Sequence, residues 1–503
     1  MTPTNKPAGG TNIPPQTSAG SPSTAHTPLL QGAGLPRRKL KGALISAAVF
    51  IFALVLAFFF WTGRHPKEGG VAKLPGKFLV QIRSWNAYYC DINEDLVLKN
   101  AKLLKSLGLA DAGYTYVNID DCYSEKQRSA SGDIVASKTR FPSGMRALTD
   151  QIHALGLKAG IYSDAGWFTC QLYPGSYGNE ARDAKLFQED WGFDYLKYDN
   201  CAVPFDNITR QNIMGRYEPM AHAIADLSKA TKKPPLILSL CEWGRTMPQE
   251  QVWLWGRKYG QSWRTTNDIE PNWRSVASII NQNSFYSWAS DFYGHNDMDM
   301  LEIGNGGLTR EEAKTHFTAW ALMKSPLLIG TDLETATAET IEILTNQEII
   351  AINQDPVVGT SVTPFRWGIN PDYVSNSTHP AQYWSGQSQN GTVFMLVGIP
   401  SLLKVSLSTG CGQQINTLDK PATMSFSLTE SPWIRAGRQY SVRDLWTHTN
   451  NGIAVRTFTA YDVPAHGVVA LLLQDAGDEP EGLWPPCAVV EWCISKTGVR
   501  VDQ

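Results

Sequence analysis

The stretch Gly192-Phe193-Asp194-Tyr195-Leu196-Lys197-Tyr198-Asp199-Asn200-Cys201 decides the fold. Leu196, flanked by aromatics and closed by a charge and a cysteine, predicts a short buried strand. Alternate side chains of a strand share a face. Tyr195, Lys197 and Asp199 therefore point one way, and Leu196 and Tyr198 the other. If the apolar face packs on helices, Lys197 and Asp199 lie inside a barrel or sheet, with Asp199 at its C-terminal end. Parallel α/β folds build their active sites there. Taken alone, the stretch reads more readily as a strand end with a solvated Asp and a structural Cys, so its neighbours must decide.

Strand and helix alternate from about residue 75 to 357. Asp91-Ile92-Asn93-Glu94 offers N-cap chemistry to a helix whose Val97, Ala101 and Leu104 share a face, closed by Gly108. Met145, Leu148, Ile152 and Leu155 mark a second helix, stopped at Gly156. Strands are expected near 78–85, 114–119, 158–162, 195–199, 236–240, 262–268, 297–301 and 321–329. Strands alternating with helices in this number predict a (β/α)8 barrel. Asp120, Asp121, Tyr162, Asp164, Lys197, Asp199, Glu242, Arg264, Asp268 and Asp299 all fall at C-terminal strand ends, which scattered surface charge would not do. A ring of carboxylates with one Lys and one Arg, beside Trp85 and Trp243, suits a neutral polyol whose hydroxyls need acceptors. Phosphate would require more cations and a Gly-rich turn. A metal would require His among the carboxylates, and only His295 is near. No metal and no cofactor are expected.

Beyond residue 358 short strands near 382–384, 392–397, 405–407, 439–442 and 468–473 are separated by Gly, Asn, Ser and Pro. They predict an antiparallel β-sandwich over 358–475 without obvious catalytic groups. A Pro- and acid-rich tail, 476–503, carries Cys487 and Cys493 as candidate partners; Cys241 and Cys411 have none that can be argued.

A chain of 503 residues accommodates both domains. Its net charge of −3 and scattered basic residues leave no nucleic-acid footprint. The eight Cys lie at wide spacings without Cys-x-x-Cys, which disfavours zinc and fits disulfides of an oxidising compartment. Sequons at Asn207, Asn376 and Asn390 agree with that compartment. Residues 1–41 form a tail, low in large apolar residues and predicted to be disordered, that ends in Arg37-Arg38-Lys39-Leu40-Lys41. The uncharged apolar run 42–61 is long enough to span a bilayer, and a linker, 62–74, follows. Basic residues preceding the span predict a type II signal anchor, with the barrel on the lumenal or extracellular side. Cleavage after residue 62 would instead release a secreted product.

Six motifs stand in order along the chain: Cys90-Asp91-Ile92-Asn93-Glu94, Tyr116-Val117-Asn118-Ile119-Asp120-Asp121-Cys122, Tyr195-Leu196-Lys197-Tyr198-Asp199-Asn200-Cys201, Ser239-Leu240-Cys241-Glu242-Trp243-Gly244, Trp263-Arg264-Thr265-Thr266-Asn267-Asp268-Ile269 and Asp299-Met300-Leu301-Glu302. Together they resemble the family-27 glycoside hydrolases of fungal type, the α-galactosidases or melibiases, over roughly residues 84–475. The resemblance implies a retaining enzyme that releases terminal non-reducing α-D-galactose from oligosaccharides, galactomannans and glycoconjugates by double displacement. It assigns Asp199 as nucleophile and Asp268 as proton donor and acid/base, a pair that stands about 5–5.5 Å apart in retaining enzymes. Lys197 on the same strand face favours an ionised Asp199, whereas Arg264 works partly against a protonated Asp268. Trp85, Asp120, Asp121, Tyr162, Lys197, Glu242, Trp243, Arg264 and Asp299 match substrate-binding positions. Glu242-Trp243 matches the arrangement that reads a free 2-hydroxyl, which disfavours an α-N-acetylgalactosaminidase, and Cys90–Cys122 and Cys170–Cys201 match family disulfides. The family's first Trp and Asn are missing from Leu79-Val80-Gln81-Ile82-Arg83-Ser84, so a galactose-binding protein impaired in catalysis and tethered to a membrane is the alternative from another class. Retention of both carboxylates argues against it, since binding alone does not need Asp268.

Overall fold

Eight parallel strands form a ring in the computed structural model, which describes residues 80–204, 213–244, 251–367, 380–398 and 421–483. They are β1 (Val80–Arg83), β2 (Tyr116–Asn118), β3 (Lys158–Asp164), β4 (Tyr195–Asp199), β5 (Ile237–Leu240), β6 (Ser262–Arg264), β7 (His295–Asp297) and β8 (Leu327–Ile329). Their hydrogen-bonded order is β7-β6-β5-β4-β3-β2-β1-β8. The ring closes just past β7, where Leu301 bridges Ile329 in parallel. This is the expected (β/α)8 barrel. The atypical stretch before Trp85 takes its place in it, with Ile82 paired to both Val117 of β2 and Ile329 of β8.

Alternation along β4 explains how the site is aimed. Leu196 and Tyr198 join the large core shared with the helices, whereas Tyr195 points inward to a small cluster with Tyr116. Parallel pairing of Tyr162 with Lys197 and of Asp164 with Asp199 puts all four on the inner face. Gly160 pairs with Tyr195 one layer lower. A Cβ on Gly160 would stand 1.8 Å from Asn118 Oδ1 and 2.9 Å from the Tyr195 ring, so only glycine leaves room for that ring on the barrel floor.

Several element ends differ from expectation. Ala321 and Leu322 finish the helix Arg310–Leu322, and β8 begins only at Leu327. An apolar run cannot by its periodicity separate a buried helix end from a buried strand. Trp85 opens a short helix, Trp85–Tyr88, instead of ending β1. β6 stops at Arg264, which leaves Asp268 in the following loop. The helix Glu94–Ser106 is as expected, capped by the Asn93 side chain and burying Val97, Ala101 and Leu104.

The C-terminal region contains β9 (Thr363–Arg366), β10 (Tyr383–Ser388), β11 (Gly391–Val397), β12 (Ala422–Ser427), β13 (Arg438–Asp444), β14 (Thr449–Val455), β15 (Thr457–Val463) and β16 (Val468–Asp478). A six-stranded antiparallel sheet, β14-β13-β16-β11-β10-β9, faces the pair β12-β15. In β11, Val393, Met395 and Val397 pack into the barrel's core, whereas Phe394 and Leu396 pack into the sandwich's own core. Both faces are covered, which is why β11 and β16 read as continuous apolar runs. β16 continues to Asp478, past the boundary expected at 475.

Disulfides join Cys90 to Cys122 and Cys170 to Cys201. Asn390 is exposed in the turn between β10 and β11. The tail 1–41, the apolar run 42–61, the linker 62–74, Asn207, Asn376, the strand expected at 405–407, Cys411, Cys487 and Cys493 lie outside the described residues. Among the described residues no helix is long and apolar enough to cross a membrane.

Replacing Gly160 by Val should destabilise the barrel by about 2–3 kcal/mol, the upper range for overpacking a filled interior. Urea unfolding measures this, and an unchanged midpoint would show that the floor has room to yield.

Candidate active site

The C-terminal ends of β1 to β7 enclose a cavity of about 470 Å³. Trp85, Asp120, Asp121, Tyr162, Lys197, Asp199, Trp243, Arg264, Asp268 and Asp299 line it. Two buried cations organise these carboxylates. Lys197 Nζ donates to Asp120 Oδ2 at 2.9 Å. Arg264 Nη2 reaches Asp299 Oδ2 at 2.8 Å and Asp268 Oδ1 at 2.9 Å. The two carboxylates differ in setting: the Asp299 side chain is 2 % exposed and that of Asp268 is 82 % exposed. Asp268 therefore stands at the mouth, where water screens its ion pair.

Asp199 is buried at the end of β4. The Tyr162 hydroxyl donates to its Oδ2 at 3.1 Å, and the Asn200 N–H donates to its Oδ1 at 3.0 Å. Burial pushes its proton affinity up, and Lys197, the Asn200 N–H and the Cys241 thiol pull it back without cancelling the rise. The expectation that Lys197 favours the ionised form is thus only half the balance. At Asp268 burial also pulls upward, but the charge and hydrogen bond of Arg264 outweigh it and hold the carboxyl below its usual range. Asp164, in register with Asp199, does not line the cavity; burial and then the Asp199 charge push it up to about 8.

Glu242 departs from its expected place. It is fully buried and does not line the cavity. The alternation of β5 supplies the reason. Leu238 and Leu240 face the outer core and Cys241 faces the cavity. Glu242 therefore turns outward, where its charge acts on Tyr217 of that same core. Trp243 returns to the cavity in a left-handed conformation, φ 70°. Cys241, a free and buried thiol, stands at the wall position. His295 is buried in β7 and does not line the cavity.

Sequence reading gave no role to Asn86, Tyr89, Gln171, Met300, Glu302 and Asn305, which also stand in the wall. Glu302 is 2 % exposed and accepts hydrogen bonds from the side-chain amides of Asn86 and Asn305. Burial pushes it up to about 7 against those two bonds. Its signal lay in the quoted Asp299-Met300-Leu301-Glu302, where only Asp299 was given a role. The arrangement offers acceptors to several hydroxyls of one polyol, with one deeply buried carboxylate and one at the mouth.

Residues 76–355 match the family model described as Alpha galactosidase A, and residues 378–473 match the Alpha galactosidase C-terminal beta sandwich domain. A relative from Talaromyces emersonii, "Probable alpha-galactosidase B", is 38 % identical over 81 % of this chain and 93 % of its own. A "Probable alpha-galactosidase" from Dictyostelium discoideum is 39 % identical over 78 % of this chain and 90 % of its own. Among solved structures, alpha-galactosidase I from Mortierella vinacea superposes with a TM-score of 0.68 at 34 % identity, covering 82 % of this chain and all of that one. The ring of acceptors on a (β/α)8 barrel backed by a β-sandwich therefore has a plain identity: this chain belongs to the α-galactosidase (melibiase) family of glycoside hydrolases and hydrolyses terminal α-galactosides.

Proposed function

We propose that the enzyme is a retaining α-galactosidase in which Asp199 attacks the anomeric carbon and Asp268 protonates the leaving oxygen. The observation carrying this assignment is the contrast between the two carboxylates on one cavity: Asp199 buried and held by fixed donors, Asp268 exposed at the mouth. A nucleophile must be positioned within reach of carbon, and the Asn200 N–H and Tyr162 hydroxyl fix both Asp199 oxygens. Lys197 lies near enough to stabilise its charge. A general acid must meet the leaving group where the substrate leaves the cavity, which is where Asp268 stands. In the free site Arg264 keeps Asp268 ionised. A bound pyranose strips water from it, and desolvation raises its proton affinity toward that of a working acid. In the second half-reaction the same carboxylate takes the proton of the water that cleaves the galactosyl–Asp199 ester. Asp120, Asp121, Lys197, Arg264 and Asp299 hold the sugar hydroxyls.

Galactose is favoured over its 2-acetamido analogue because Trp243 and Cys241 both stand in the cavity wall. The substrates are terminal α-galactosides of oligosaccharides, galactomannans and glycoconjugates, and the altered first strand remains strand, which weighs against an impaired binding protein. Two disulfides fit the secretory pathway. The apolar run 42–61 would anchor the enzyme as a type II protein with glycans at Asn207, Asn376 and Asn390.

Asp199→Asn should lower turnover of aryl α-galactosides by about 10⁴-fold or more. Asp268→Ala should slow melibiose far more than an aryl galactoside with a good leaving group, and added azide, displacing Asp199 from the β-linked galactosyl ester, should restore the aryl reaction as α-galactosyl azide. Wild-type rates for Asp199→Asn, or azide product of β configuration from Asp268→Ala, would reverse the roles.

Asp164 and Glu302 bind protons more tightly folded than unfolded, so their contribution to stability is full below about pH 4 and is lost as pH rises through 7 to 8. His295 and His316, kept neutral by burial, act in the opposite sense below about pH 6.5. Asp164→Asn should therefore raise stability at pH 8 relative to pH 5 when compared with wild type in urea unfolding. An unchanged difference between the two pH values would mean that Asp164 takes up no proton on folding.

For the anchor, an intact amino-terminal tag should stay in carbonate-washed membranes, with the barrel protected on the lumenal side. Untagged active enzyme in the medium would instead place a cleavage after residue 62.

A further inference from the structure

Resting on the α-galactosidase reading, we propose that the hairpin following β3 is a leaving-group subsite that stacks on the sugar ring next to the scissile bond. This hairpin carries Trp167, Phe168 and Leu172, which are 57 %, 46 % and 66 % exposed. Its tip belongs to the active site, since Cys170 and Gln171 line the cavity. Tyr89, 64 % exposed, lines the same cavity from the segment after β1.

The hairpin is built to hold these side chains in water. Phe168 bridges Pro174, the Thr169 N–H donates to the Tyr173 carbonyl at 2.8 Å, and the Gly175 N–H donates to the Trp167 carbonyl at 2.8 Å. The Cys170–Cys201 disulfide ties the tip to the segment after Asp199, and the Gln171 N–H donates to Asp121 Oδ2 at 3.0 Å. Lys126 Nζ binds the Gln171 carbonyl at 2.8 Å from outside. Scattered exposed apolar residues need no explanation. Three on one cross-linked hairpin at the rim of a polar cavity are different, because a ligand that stacks there spends little on ordering the loop.

The chemistry of the occupant follows from the two halves of the site. Inside, carboxylates, Lys197 and Arg264 take the hydroxyls of the terminal galactose. The remainder of an exo-cleaved substrate must leave past Asp268 at the mouth, onto the rim. A pyranose presents C–H faces that pack on aromatic planes while its hydroxyls stay in water, which suits a rim that is apolar and open. An alkyl chain would need an enclosed apolar groove to be drawn from water, and this rim is exposed.

The test compares kcat/KM of the full-length enzyme for raffinose, melibiose and methyl α-galactoside, the last having no second ring. Trp167→Ala should lower kcat/KM for raffinose about tenfold and leave methyl α-galactoside within about twofold. Trp167→Phe should retain most of the raffinose rate, which a folding defect would not allow to differ from the Ala variant by substrate. An unchanged ratio of raffinose to methyl α-galactoside in Trp167→Ala and Phe168→Ala would overturn the subsite. A larger loss for octyl α-galactoside than for raffinose would overturn the sugar assignment. Absence of wild-type turnover of methyl α-galactoside would defeat the catalytic reading alone. The same contrast would then be read as Kd for raffinose against methyl α-galactoside in wild type and Trp167→Ala.

Discussion

One guanidinium carries the balance of charge at the mouth of the barrel. Arg264, buried at the end of β6, is shared between Asp299 inside and Asp268 outside. A buried cation with a single carboxylate would be neutral as a pair; here it is divided, so neither anion is fully compensated. Lys197 is occupied with Asp120. Asp121, Asp199, Asp299 and Glu302 are all left with raised proton affinity, and burial is the largest cause in each. The site is short of cations by construction. A polyol, donating hydroxyl protons to these acceptors without adding charge, is the ligand class that relieves the shortage. A phosphate would worsen it.

The same shortage places constraints on the backbone. Acceptors beyond the two cations must be satisfied by fixed N–H donors, and these come from turns at the strand ends. Met300 N–H and Ile269 N–H both donate to Asp299. Cys122 N–H and Gln171 N–H do so for Asp121. Gly166 N–H and Cys201 N–H do so for Asp164. Turning the chain so tightly forces Cys122, Trp243 and Asp299 into the left-handed region, at φ 74°, 70° and 78°. None of the three is glycine, and such strain persists only where the surroundings over-determine it. Both disulfides are placed at these turns: Cys122 is itself a member of one, and Cys170–Cys201 joins the turns after β3 and β4.

What could be read beforehand follows from which rules are local. Period-two alternation places Lys197 and Asp199 on the inner face, and it holds through β4 because both faces of that strand are filled. The same rule, carried two residues beyond β5, turns Glu242 outward; motif resemblance puts it inside because motifs carry identity and not direction. The start of β8 is blurred because Ala321 and Leu322 are as apolar as Leu327 and Leu328, and only the turn before Pro326 separates helix from strand. Glu302 and the hairpin aromatics escaped notice for a different reason. Their importance depends on which strand ends face one another across the ring, and that is a property of closure. Asp268 sat at the end of a predicted strand yet lies four residues past the end of β6, a displacement that brings it out to solvent.

Among the described residues the sandwich contributes no group to the cavity, but it bears on Asp299 through one helix. The helix Arg310–Leu322 packs against the sandwich on its outer side: Thr315 Oγ1 donates to the His466 carbonyl at 2.5 Å, and Trp446 Nε1 donates to Thr318 Oγ1 at 2.9 Å. His466 also binds Glu312 at 2.6 Å and stacks on Trp273 at 4.3 Å, which ties in the helix that follows the Asp268 loop. On its inner side the helix sends Trp320 Nε1 to the carbonyl of Asp299 at 2.8 Å. Asp299 is the strained residue that shares Arg264 with Asp268. A barrel needs its ring closed, and here closure runs through Leu301, two residues beyond Asp299, against β8. The closing bridge of the ring therefore lies two residues from a left-handed aspartate. A helix clamped between that bridge and a second domain keeps both in place, because neither a three-residue strand nor a left-handed aspartate would hold its geometry by local interactions alone.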